Sequence, residues 1–99
     1  MKQNQKLILK NFIKMPIPKF LYDNNYDQII LLHEEFAGMV DQILHKGKIT
    51  KFPHILITNE ERQLLNFLEK IDNLNAYICV LFDIENILQE YNRDYNKIM

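Results

Sequence analysis

Apolar residues recur along this 99-residue chain at steps of three and four, the period of a helix face. They do so in three segments, set apart by Pro16 and Pro18 and then by Gly47 and Pro53. In the first, roughly residues 2–15, Leu7, Ile8, Phe12 and Met15 repeat at helical spacing, and Leu9 and Ile13 widen the face. Pro16 disfavours α geometry at Met15 and ends this helix nearby. The second segment runs from about Asn25 to Lys46, with Ile29, Leu32, Phe36, Val40 and Ile43 as its stripe and Ile30, Ala37 and Leu44 beside it. Asn25 with Gln28, or Asn24 with Asp27, has the spacing of a cap and its reciprocal partner. His45 and Lys46 suit the negative end of the helix, and Gly47 suits a left-handed stop. Gly38, inside the helix, costs about 1 kcal/mol against alanine, and close approach of another helix is the expected reason.

The third segment spans about residues 58–97. Thr58 and Glu61 form a capping box at its start. Its stripe is Leu64, Leu68, Ile71, Leu74, Ile78, Leu81, Ile84, Leu88, Tyr91, Tyr95 and Ile98, close to the repeat of a supercoiled seam. Tyr77, Val80, Phe82 and Ile87 broaden the face between Leu74 and Leu88, so this part is expected to be the most buried, with Cys79 an inert thiol inside it. The intervening residues 48–57 include Ile49, Phe52, Ile55 and Ile57, too apolar for a free loop. They predict a connection lying over the core; a short strand over His54–Ile57 has no evident partner.

Asp72, Asn73 and Asn75 are poor helix formers. An unbroken helix of about 38 residues would run about 57 Å at 1.5 Å per residue, far beyond a compact domain whose radius of gyration is about 13 Å. Two architectures therefore stay open. A kink or break near 72–75 gives a four-helix bundle. A continuous helix needs covering, either by the first two segments end to end or by a second chain. The fold class is all-α: one domain over residues 1–99, a small bundle of three or four helices at about 2–15, 25–46 and 58–97.

Composition agrees with one globular core, at 47% hydrophobic and 25% charged residues. Cys79 is the only cysteine, so disulfides do not contribute and a reducing compartment is expected. There is no signal-peptide pattern and no apolar run near the ~20 residues of a membrane span; a soluble cytoplasmic protein is expected. Ile (14), Asn (11) and Lys (10, against 2 Arg) are over-used. Their A/T-rich codons point to a low-GC bacterium, or a phage or plasmid within one.

Charge is uneven. Residues 1–54 carry 8 Lys against 5 Asp and Glu, and residues 55–99 carry 4 Lys and Arg against 8 acids, giving +3 and −4 and the overall −1. Lys2, Lys6, Lys10 and Lys14 stand at strict i,i+4 spacing and so along one side of the first helix, with Lys19 beyond. Such a row meets phosphates, lipid headgroups or an acidic protein, or is simply a solvated face in a lysine-rich composition.

Catalytic or metal-binding patterns do not emerge. His33-Glu34-Glu35 begins like the zinc-protease helix, but the second histidine position is Ala37. His33, Asp41 and His45 share a helix side, yet a zinc site needs a third or fourth converging ligand, for which His54 would have to fold back; the plainer reading is a polar edge with an i,i+4 pair. The two glycines are too isolated for a phosphate loop. No nucleophile stands with a base. The chain is therefore expected to be no enzyme and to hold no cofactor or metal.

The remaining expectation is a small helical protein-interaction module, of the size and kind of regulators, inhibitors and immunity proteins of low-GC bacteria and their phages or plasmids. It would bind a protein partner or self-associate as a dimer. The candidate partner seam is Ile84, Leu88, Tyr91 and Tyr95, where the stripe outruns the densest core. The candidate basic face is Lys2, Lys6, Lys10 and Lys14. The alternative is a nucleic-acid-binding accessory protein using that basic helix; no small-molecule substrate is implied.

Overall fold

The computed structural model describes residues 2–47 and 57–98, with side chains as far as Asn92. Within them are five helices and no strand: α1 (Gln3–Ile13), α2 (Lys19–Asp23), α3 (Asp27–Lys46), α4 (Asn59–Glu69) and α5 (Asn75–Ile98). The protein is a small all-α bundle.

The open question at residues 72–75 resolves as a break. Helix α4 ends at Glu69, and the chain turns through residues 70–74 with Asn73 at φ +74°. Asparagine is among the few residues that take this left-handed conformation readily. Leu74, 4% exposed, plugs the turn into the core, and the Asn75 side chain donates to the Glu69 carbonyl (3.3 Å). Helix α4 then folds back along α5, with Arg62 opposite Phe82 and Glu85. The 24 residues of α5 need about 36 Å, within the 42 × 25 × 18 Å of the molecule. The overhang of a straight rod does not arise.

Start and stop chemistry accounts for most boundaries. Thr58 and Glu61 form the capping box at α4, with Glu61 N–H donating to Thr58 Oγ1 (3.1 Å) and Thr58 N–H to Glu61 Oε1 (2.8 Å). Gly47 ends α3 at φ +71°. The Asn24–Asp27 region differs from expectation. Asn24 Nδ2 donates to the Phe20 carbonyl (2.9 Å), Asn25 turns left-handed at φ +58°, and Tyr26 holds the N-cap position of α3 without a side-chain cap. These polar residues close α2, a five-residue helix too short to leave a periodic signature, rather than open α3.

Helix α1 runs antiparallel to α3 and α5. The Phe12 and His33 rings meet tilted at 4.7 Å between centroids, Lys6 lies by the other end of α3 beside Ile43 and Leu44, and Gln5 donates to Glu90 (2.8 Å). The core runs through Leu9 and Phe12 of α1, Phe36 and Val40 of α3, Leu65 and Leu68 of α4, and Ile78, Leu81, Ile84 and Leu88 of α5. Ile57 joins it at 4% exposed; the other apolar residues expected to lie over the core, and the possible strand from His54, fall outside the described residues.

Three expected placements are corrected. Leu7 and Ile13 were assigned to the buried side of the first helix, but Leu9 and Phe12 set its inward direction, and Leu7 faces out. Cys79 is exposed, because Ile78 and Leu81 aim α5 inward and the intervening cysteine points away. Among the described residues no helix closes on Gly38, whose added Cβ would meet nothing within 4 Å.

Candidate functional site

Polar side chains inside the bundle are fully employed: among the described residues, no buried side-chain nitrogen or oxygen lacks a partner. Glu85, 4% exposed, accepts from Ile57 N–H (2.7 Å) and from Arg62 Nη2 at 3.0 and 3.3 Å, fastening the start of α4 to the middle of α5. His33 and Tyr77 form the second buried pair, with Nδ1 and the hydroxyl 2.6 Å apart and the rings stacked. Burial holds the His33 imidazole below its ordinary range against an opposing pull from Glu34. Burial likewise pushes the Tyr77 hydroxyl upward, with Tyr22 adding to it. Two neutral, mutually bonded groups packed on Phe12 are a means of joining α1, α3 and α5. His33 is therefore not on a solvated polar edge. His45 is, bonded to Asp41 at 3.0 Å. Among the described residues no three His, Cys, Asp or Glu side chains converge as a metal site, and His54 lies outside them. No described helix is long and apolar enough to cross a membrane.

The candidate seam divides. Ile84 and Leu88 are 0% exposed; the covering that their stripe demands comes from the chain itself, and neither offers surface to a second molecule. Tyr91 is half-buried, and its hydroxyl donates to the Gly47 carbonyl. The Tyr95 side chain lies outside those described.

The candidate basic face is different in kind. Lys2, Lys6, Lys10 and Lys14 are all exposed, with Lys6 on the edge of α1 nearest α3. None of them has an ion-pair partner among the described residues. Leu7 stands among them 58% exposed, in an open depression of about 410 Å³ lined by Gln3, Asn4, Lys6, Leu7 and Lys10. Ile13 is 37% exposed farther along. A second cleft of about 370 Å³ brings Lys6 together with Tyr91, beside Ile43, Leu44 and Gly47. The structure thus joins one residue from each candidate set, though 85 positions separate them in sequence.

An exposed leucine flanked by unpaired ammonium groups provides an apolar anchor within a cationic rim, the pattern of a polar-rimmed protein interface. Spacing alone revealed the lysines. It did not reveal Leu7, because Leu7-Ile8-Leu9 are consecutive apolar residues and their order says nothing about which one faces water. No protein-family model, curated protein or solved structure matches the chain.

Proposed function

We propose that this protein is a small helical interaction module that acts by docking the outer face of α1 against an acidic protein surface. The observation carrying this reading is Leu7: a leucine more than half exposed between Lys6 and Lys10, on a helix whose lysines have no ion-pair partner among the described residues. The leucine also favours protein over nucleic acid as the ligand. A phosphate backbone is met by cations and polar donors and gains little from an aliphatic side chain among them. The regulator, inhibitor and immunity-type roles are ways of using such a surface, and the cytoplasm is where a reduced Cys79 fits.

Replacing Leu7 with a photo-crosslinking amino acid in cells tests the reading. The expected product is an adduct to protein, suppressed when Lys6→Glu and Lys10→Glu are added. Adducts to nucleic acid, or none above those formed from Gln63 on the exposed side of α4, would overturn it.

A further inference from the structure

Helix α3 also has an exposed face, and its carboxylates, of which Asp41 is bonded to His45, make it opposite in sign to that of α1. Asp27, Glu34 and Asp41, seven residues apart, are all exposed there, and Leu31 stands among them 56% exposed. Gly38 shares that face, with nothing within 4 Å of where its Cβ would be. A glycine between Glu34 and Asp41 leaves room on this face for a second helix to come close, and no described residue fills that space.

The two faces match in reach as well as in charge. Lys6 to Lys14 covers about 12 Å of helix and Glu34 to Asp41 about 10 Å, at 1.5 Å per residue; each carries one exposed leucine near its cations or anions. Helices α1 and α3 are antiparallel neighbours in the bundle, and a two-fold pairing would set each against the other helix of a second copy.

We infer that the chain pairs with a second copy of itself, the Lys6–Leu7–Lys10 face of α1 seated on the Leu31–Glu34–Gly38 face of α3 in both directions. This rests on the docking role of α1 proposed above and identifies the acidic surface it meets. Two short helical faces rich in charge give a small interface whose strength falls as salt screens it.

Sedimentation of the purified chain, with two charge-reversed variants, tests the inference. One variant carries Lys6→Glu and Lys10→Glu; the other carries Glu34→Lys and Asp41→Lys. The expected result is a dimer at low salt that dissociates at high salt, loss of the dimer in each variant alone, and its return when the two are mixed, since both contacts are then complementary again. All four positions are exposed, and helical circular dichroism verifies that each variant is folded; recovery on mixing requires folded partners in any case. A chain that stays monomeric at every concentration and salt, or a dimer that neither variant disturbs, overturns the inference. The α1 docking role outlives that result if Leu7 still crosslinks to a different protein, and falls with it if Leu7 crosslinks to none.

Discussion

The inner stripe of α5 and the outer face of α1 look alike as sequence and behave oppositely as structure. Both carry residues of segments whose apolar positions recur at helical spacing. On α5, Ile84 and Leu88 vanish completely into the core. On α1, Leu7 remains in water among four lysines. Periodicity says that a face will be covered without saying by what. The difference lies in whether the chain turns back on itself: the break at residues 70–74 lets α4, α3 and α1 enclose α5, and no described residue encloses the outer face of α1.

The sharpest way to break this comparison is truncation on each side of it. Leu88→Ala removes a fully buried side chain and is expected to cost about 2–5 kcal/mol of unfolding free energy. Leu7→Ala is expected to change it by no more than about 0.5 kcal/mol. Urea titration of the two variants decides, and equal losses would place Leu7 inside the fold.

Glu85 sharpens the inner side next. Glu85→Ala leaves the buried Ile57 N–H without its acceptor and is expected to cost about 1.5–3 kcal/mol in the same assay. Arg62 is 42% exposed, so little of that comes from the ion pair itself. Arg62→Ala should accordingly cost less than Glu85→Ala.

Acid probes the joint between the two regions, where His33 on α3 meets Phe12 of α1 and Tyr77 of α5. Burial lowers the folded imidazole below its ordinary 6.5, so below that pH the unfolded chain binds a proton that the folded chain resists. This part of the stability is complete above pH 6.5 and is lost as the pH falls, at up to about 1.4 kcal/mol per pH unit. His33→Leu is expected to be less stable at neutral pH, because Tyr77 loses its partner, but to decline less steeply on acidification. Parallel declines in unfolding experiments across pH would show that His33 does not carry the effect.

One expected change has the opposite sign. Gly38→Ala fills open space on a helix interior and should stabilise the isolated chain by about 0.5–1 kcal/mol. Where the α3 face seats a second helix, the same methyl should weaken pairing. A gain in stability with weaker association separates a surface from a core position.

Much of this fold is legible in local chemistry. The Thr58–Glu61 box, the Gly47 stop and the α5 stripe follow from rules acting over a few residues, and the structure contains all three. What escapes is non-local or degenerate. His33 and Tyr77 are 44 positions apart, and no spacing rule joins them. Tyr77-Ile78-Cys79-Val80-Leu81 is a run in which every residue is a plausible inward one, so the exposed position of Cys79 had no signal. Asp72, Asn73 and Asn75 marked where the chain bends, but only the left-handed φ of Asn73 turns a weak helix into two helices. At the candidate surface, the lysines are visible as a row; that no described acid pairs with them, and that Leu7 stands with them, are facts of packing.

The central claim, that the outer face of α1 is covered by protein when the molecule works, is tested most directly by lysine acetylation read by mass spectrometry, in cells and in the dilute purified chain. Lys70, exposed at the end of α4, serves as the reference. The account predicts that Lys6 and Lys10 react like Lys70 when purified and diluted but are protected relative to it in cells, with protection lost in Leu7→Asp. Equal reactivity of all three lysines in both settings would contradict it.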